Sequence, residues 1–251
     1  MDSRDDGAVV IMGSAGALGG ALLRRLVQDQ PHVMAWTTYR KDAEPAETLA
    51  ASVSGVRAVR CDLRDRQDVA NLASEVAAAA GYVRVLVHAA VEIQLGSVLE
   101  LGYEKVSGVV LSSGLSLLTL VEEFEELLQP GSVVLYMTSI GSHRVIPGYG
   151  AVGAAKAVGD ALVRYLASEL APRGVRVNAM SLGPFASKAA ADVVDDVEAL
   201  MKVTDAATPR GRRLDLAEIA DAAAFLAGPG GSGVTGQVVT VDAGIFNRWS
   251  L

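Results

Sequence analysis

Short apolar runs alternate with longer amphipathic or alanine- and leucine-rich stretches along the whole chain of 251 residues. The runs at 8–12, 33–36, 56–60, 83–88, 133–137, 175–180 and 238–241 read as strands. Helical patterns fall at 16–28, 65–80, 103–128, 149–170 and 216–227. Several strand runs are apolar at nearly every position instead of alternating, as when helices cover both faces of a sheet. Repeated strand–helix–strand units call for right-handed crossovers. The pattern therefore predicts an α/β fold: a single doubly wound domain over 1–251, with about seven parallel strands and helices on both faces. Neither a linker nor an internal repeat interrupts it.

One stretch breaks the rhythm. Residues 187–213 hold a helical segment at 189–201 and then the polar, interrupted string TDAATPRGRR. It is too long for a tight connection and reads as either a surface excursion or a lid. Its position after the sixth strand, where such sheets take ligands, favours the lid.

Composition narrows the function classes. Hydrophobic residues make up 51% and mean hydropathy is +0.32, enough for a large core and incompatible with disorder. Net charge is −7 with a pI near 5.0, and no basic run occurs, which argues against a nucleic-acid surface. The lone cysteine, Cys61, excludes an internal disulfide framework and suits a reducing compartment. The string MDSRDDGAVVIMG lacks the basic and long apolar regions of a secretory signal. No apolar stretch reaches the roughly 18 residues of a membrane span. The expectation is a cytoplasmic protein with no membrane and no nucleic-acid partner.

Candidate chemistry begins in the first strand-to-helix turn, VVIMGSAGALGGALL, with Gly13, Gly16 and Gly19 spaced by three. Glycines there let backbone approach a diphosphate at a positively polarised helix start, or simply let helix and strand pack closely. After the second strand, threonines precede Arg40 and Lys41 where an NAD site would carry an acid. The two cations suit a 2′-phosphate, or form an ordinary solvated basic pair. Asp62, ending the third strand, is placed to accept from an adenine amino group or to cap the next helix. His32, His88 and His143 match no metal spacing, and no G-x-S-x-G elbow occurs, so no metal site or serine hydrolase is expected.

The strongest constellation follows the fifth strand: Ser139 in T-S-I-G-S, then P-G-Y-G-A-V-G-A-A-K with Tyr149 and Lys156. A phenol with a pKa of about 10 is a poor acid at neutral pH, and a lysine ammonium nearby would favour its ionisation. Seven positions are about two helical turns, so the two side chains share a helix face. The plainer reading is an aromatic at a helix start and a lysine lying over a neighbour.

Taken in order, M-G-S-A-G-A-L-G, C-D-L, V-H-A-A, T-S-I-G-S, Y-x6-K, V-R-V-N-A-M-S-L-G-P and V-T-G-Q-V-V-T-V-D-A-G resemble the short-chain dehydrogenase/reductase superfamily over essentially the full chain. Classical members carry Tyr-x3-Lys, whereas the residue four before Lys156 is Val152. The Tyr-x6-Lys spacing, Val87-His88 and the order Gly183-Pro184 are similar to the enoyl-acyl-carrier-protein reductases of this superfamily. Ser139 stands where those enzymes often have a second tyrosine, and the segment 109–114 lacks the asparagine of the classical proton relay. Ala17 occupies a customary glycine position, beside Gly16.

The resemblance implies a Rossmann-type fold and NADP(H) as cofactor, in preference to NAD(H). Cofactor contacts would come from Gly13, Ser14, Gly16, Ala17, Leu18, Gly19, Arg40, Lys41, Asp62, Leu63, His88, Ala89, Ala90, Lys156, Gly183, Pro184, Phe185 and Ser187. Tyr149, Lys156 and Ser139 would be catalytic. The reaction implied is reduction of the C=C bond of an α,β-unsaturated acyl thioester, carried by acyl carrier protein or another carrier. The alternatives are ketone or imine reduction of a small molecule in specialised metabolism, and a non-catalytic NADP(H)-binding role. The family also implies a homotetramer or homodimer built through the long helices.

Overall fold

The computed structural model describes residues 7–14, 16–28, 30, 32–185 and 196–247. Seven strands form one parallel sheet: β1 (Ala8–Met12), β2 (Ala35–Tyr39), β3 (Val56–Arg60), β4 (Val83–His88), β5 (Leu128–Ser139), β6 (Arg176–Leu182) and β7 (Val238–Val241). Their spatial order is β3-β2-β1-β4-β5-β6-β7. The chain winds outward from β1 in one direction and then from β4 in the other, so a crevice opens where the order reverses, beyond the carboxyl ends of β1 and β4.

Period-two alternation divides the buried strand residues between two cores. Val10, Met12, Trp36, Leu86, Val134 and Tyr136 face one side. There they meet α3 (Arg66–Ala80), α5 (Ser116–Phe124) and α6 (Gly150–Leu170). Val9, Ile11, Val85, Val87, Leu135 and Met137 face the other, against α1 (Ala17–Val27), α2 (Glu44–Ser52) and α8 (Leu216–Ala227). Local signals set the helix ends. Asp65 caps α3 by accepting from Gln67 N–H at 2.9 Å, and Gly81 closes that helix at φ 75°. Asp215 and Glu218 make a capping box on α8.

The observed elements depart from the sequence pattern in several places, the plainest lengthening being β5, which starts at Leu128 where the apolar run begins at 133. β2 runs to Tyr39 instead of ending at Trp36, because Thr37 and Thr38 are buried through hydrogen bonds instead of apolar contacts. The short α2, opened by Pro45 in its first turn, has no counterpart among the predicted helices. The helix predicted at 103–128 starts earlier, as α4 (Val98–Val110), and passes through a π-helical turn, Leu111–Leu115, before α5. The helix predicted at 189–201 is α7 (Val197–Ala207) among the described residues, while 187–195 lie outside them.

Contrary to expectation, the run Val98–Leu127 is long and apolar enough, by length and composition alone, to cross a bilayer. It is a chain of helical pieces kinked at Gly102, and Ser112, Ser113 and Ser116 interrupt its apolar run in the sequence. It packs on α3 and α6, and 44% of its apolar window is buried.

Candidate active site

At the first crevice wall, Gly13 adopts φ +81°, and a β-carbon there would lie 2.6 Å from Ala90 Cα. One at Gly19 would lie 2.2 Å from Ser14 Cα, whereas Gly16 faces open space. Gly16 precedes α1 with no side-chain cap, so the helix's first N–H groups are unspent by any side chain. Two threonines stitch this turn to β2. Gly13 N–H donates to Thr38 Oγ1 at 3.0 Å, and Thr38 N–H donates to Ser14 Oγ at 3.1 Å. Ser14 Oγ also donates to Ile11 O and meets Thr37 Oγ1, so this hydroxyl, expected at a cofactor, is spent within the protein. Ala17 and Leu18 open α1, with Leu18 half-buried.

Arg40 and Lys41 are exposed beyond β2, and Arg40 pairs with Glu92 at 3.6 Å. Asp62 does not cap α3, as one reading of the sequence had it; Asp65 does. The Asp62 carboxylate instead grips Arg64 at 2.6 and 3.0 Å, which holds its pKa down at about 2. Leu63 turns its side chain into the core, beside Cys61, whose thiol burial pushes up to about 12.

His88 is fully buried. Ser116 Oγ donates to Ser112 O, so the hydrogen shared between Ser116 Oγ and His88 Nε2 belongs to the imidazole. Burial, helped by the Lys156 charge, lowers the His88 pKa to about 3 and keeps the ring neutral. The ring contacts Ser116 and Tyr136, while Ala90, by its backbone and its methyl, stands beside Gly13.

The π turn lies where the classical asparagine is missing. Tyr136 OH donates to Ser113 O at 2.6 Å. A β-carbon at Gly159 of α6 would collide with the Tyr136 ring, so that glycine lets the phenol through. Lys156 Nζ donates to Met137 O at 2.7 Å and sits 4.8 Å above the Tyr136 ring. Burial lowers its pKa to about 8, against the opposing pull of Asp160 one turn on. Asp160 is buried, and its Oδ1 lacks a hydrogen-bond partner among the described residues.

Tyr149 stands at the N-terminus of α6, half-buried, with the Ser139 side chain near enough to oppose the rise in its pKa. Ser139 Oγ also accepts from Gly141 N–H at 3.2 Å. A β-carbon at Gly141 would lie 2.7 Å from Tyr149 Cδ1, and one at Gly153 would lie 2.6 Å from Gly141 O. Gly96 N–H donates to Gly148 O at 2.9 Å, binding the loop after β4 to the loop before Tyr149. Val152, at the classical tyrosine position, is fully buried in the core.

One expectation is corrected. The Tyr149 pKa is raised, by burial first, with Ser139 opposing, and Lys156 is not among the groups that pull it down; the ammonium instead donates to Met137 O and lies over the Tyr136 ring. Gly183 is buried against Asp242, with Pro184 and Phe185 half-buried after it; Ser187 lies outside the described residues. Glu92, Tyr136 and Asp160 are the polar neighbours that spacing alone did not single out. Among the described residues, no cluster of His, Cys, Asp and Glu could hold a metal.

Residues 13–246 match the family model described as enoyl-(acyl carrier protein) reductase. The chain is 37% identical to the enoyl-(acyl-carrier-protein) reductase (NADH) FabI of Escherichia coli over 132 residues, 53% of this chain and 50% of that protein. It thus spans about half the length of the first curated relatives it matches. It is 30% identical to enoyl-(acyl-carrier-protein) reductase (NADH) 1 of Rhizobium meliloti over 213 residues, 82% of this chain and 78% of that one. The fold superposes on an actinorhodin polyketide ketoreductase crystallised with NADPH at a TM-score of 0.89. That likeness covers 99% of this chain and all of the other at 23% identity, so it speaks for the fold alone.

Proposed function

Because the chain belongs to the enoyl-(acyl carrier protein) reductase family of short-chain dehydrogenases/reductases, we propose that it is an NADP(H)-dependent reductase of the C=C bond of an α,β-unsaturated acyl thioester. The observation that carries this reading is the donor geometry of α6. The side chain at the classical tyrosine position is buried valine, and the phenol stands one turn earlier, beside Ser139.

The crevice fits a nicotinamide dinucleotide. Gly16 offers open space over the uncapped start of α1 for a diphosphate, and Gly13 brings backbone against Ala90. The backbone of 88–90 and Gly183 to Phe185 would line the remainder of the bound cofactor. Arg40 and Lys41 would meet a 2′-phosphate, and Lys156 would hold ribose hydroxyls. When bound, this cofactor supplies the hydride.

The chain's own groups do the rest. Burial keeps the Tyr149 phenol protonated, so it would donate a hydrogen bond to the thioester oxygen where negative charge develops, a role worth about 3 kcal/mol of barrier. Ser139, beside it, would assist that hydroxyl. Val91, Leu95, Val145 and Ile146 are exposed apolar side chains on the two loops joined by Gly96 and Gly148, a rim suited to an acyl chain. The stretch 187–213 would close over the substrate. Its described end is held by Arg213 N–H donating to Asp205 and by Arg210 and Arg212 on Glu218. Leu99 and Tyr103 on α4 and Tyr165 on α6 are exposed and would form the homodimer or homotetramer interface. The buried lone thiol and acidic balance suit a cytoplasmic setting.

A ketone or imine reductase is the second reading, favoured by the proximity of Ser139 to Tyr149. Oxidation of NADPH and of NADH, followed by absorbance with a trans-2-enoyl thioester and a matched β-keto thioester, separates them. Preferential consumption of the enoyl thioester with NADPH is expected. Preference for the keto thioester would transfer the proposal to carbonyl reduction, and binding without turnover of either would end it.

A further inference from the structure

The crevice is crossed by a charge pair. Arg40 follows β2 and Glu92 follows β4, yet β1 lies between those strands. Their side chains nevertheless meet at 3.6 Å between Nη1 and Oε2, so the pair spans the glycine turn that follows β1. Glu92 is anchored there. Its N–H donates to Ser113 Oγ at 2.8 Å, and two residues earlier Ala90 backbone is pressed against Gly13. Glu92 Oε2 is buried and accepts no hydrogen bond among the described residues. Asp62 and Arg64 stand nearby but are bonded to one another at 2.6 Å. Arg40 is therefore the cation in ion-pair contact with Glu92, with Arg64 acting on it from farther away.

We propose that Glu92 is a cofactor-discriminating residue, which holds Arg40 across the crevice and sets a penalty on nucleotides carrying a 2′-phosphate. The inference rests on the reading that this crevice takes a nicotinamide dinucleotide. An exposed ion pair at this separation contributes little by itself. Its consequence comes from what is left when the pair opens. A 2′-phosphate that draws the Arg40 fork away strands a half-buried carboxylate beside a dianion, and like charges at such separations in a partly desolvated site repel strongly. A nucleotide with a free 2′-hydroxyl makes no such demand, because Arg40 stays on Glu92. Arg40 and Lys41 thus attract the 2′-phosphate while Glu92 opposes it, and the balance between NADPH and NADH depends on this one acid.

The test is titration of the intact protein with NADPH and with NADH, read by nucleotide fluorescence, which needs no substrate and no turnover. Glu92→Gln is expected to tighten NADPH about tenfold and to leave NADH within about twofold. In an Arg40→Gln background the same change should shift the ratio less than it does with Arg40 present, since the lost ion pair no longer contributes and only the direct repulsion of carboxylate and phosphate remains. Glu92→Thr answers the same question should the Gln variant fold poorly. An unchanged ratio in Glu92→Gln, or equal tightening of both nucleotides, would overturn the proposal while leaving the cofactor reading intact. Failure of the unmodified protein to bind either nucleotide would overturn both.

Discussion

The two halves of the crevice are built from opposite materials. Around Tyr149, the polar groups are buried and bonded to backbone: Lys156 to Met137 O, Tyr136 to Ser113 O, Ser139 to Gly141 N–H. Beyond β2 and β3 they are charged, partly exposed and bonded to each other: Arg40 to Glu92, Asp62 to Arg64, Arg60 to Asp68. Burial fixes the first set, since each member would be costly to leave unpaired. Exposure loosens the second, where a ligand charge can compete for a partner and the group left behind decides the cost. Rigid geometry and exchangeable charge are what a hydride-transfer centre and a cofactor-selecting mouth respectively require.

The comparison breaks most sharply if the rigid half is not where turnover resides. Tyr149→Phe deletes one hydroxyl without changing the packing over Gly141. Turnover with the enoyl thioester should fall about 10²–10³-fold, the effect of losing one preorganised donor. Nucleotide affinity should stay within about twofold. Unaltered turnover would remove the phenol from the reaction.

A smaller loss tests the packing that aims the phenol. In Gly141→Ala the new methyl would lie 2.7 Å from the Tyr149 ring, which must swing away. Turnover should drop by about 10- to 100-fold, as for misplacements approaching 1 Å. Gly16→Ala is its counterpart in the other half. It meets open space, so stability should hold, while nucleotide affinity falls if the diphosphate lies there. A loss of turnover at full cofactor affinity in Gly141→Ala, set against the reverse in Gly16→Ala, would sharpen the division.

The pH profile offers a milder test. Burial lowers Lys156 from the ordinary lysine range to about 8, so its ammonium is present below that pH and lost above it. Turnover at saturating cofactor should decline as pH rises through about 8. Asp160 raises the Lys156 pKa, so Asp160→Asn should move the decline to lower pH. For stability the sign is opposite. A buried lysine with a depressed pKa carries its penalty in full below about 8, and folding gains as pH rises from there toward the unfolded value of 10.5. A profile whose limb does not move in Asp160→Asn would detach it from Lys156.

How much of this was legible in the chain follows the same division. All seven strands could be read from apolar runs, and most clearly the central ones, because burial on both sides leaves a local signature. Tyr149, Lys156 and Ser139 could be read from spacing along one helix and one strand end. The sign of the Tyr149 pKa shift could not, since it depends on burial from α4, the β5–α6 loop and Ser139 together. Glu92 was equally hidden: its partner is 52 positions away, and only the strand order brings them together. Asp62 misled for the opposite reason, because Arg64 satisfies it two residues later where either an adenine or a helix cap had been anticipated. The π turn was hidden too, as nothing in Leu-Ser-Ser-Gly-Leu announces the altered hydrogen bonding that leaves Ser113 O to Tyr136.

The smallest expected effect concerns Thr38, which sits between the two halves. Its hydroxyl accepts from Gly13 N–H at 3.0 Å and is buried, so it belongs by character to the rigid half although it lies on β2 beside Arg40. Thr38→Val keeps the shape and leaves that N–H without its acceptor. The cost should be about 1 kcal/mol, because Gly13 is only partly buried and water can take up some of the loss. In a chain of this size that lowers Tm by about 2–4 °C. Affinities for NADPH and NADH should move together and by less than about twofold, since Thr38 shapes the turn and carries no charge. If instead NADPH weakens alone, Thr38 touches the 2′-phosphate directly, and the boundary between the fixed and exchangeable regions runs through β2 itself. Calorimetric melting and the same fluorescence titration, done on one preparation, decide between these outcomes.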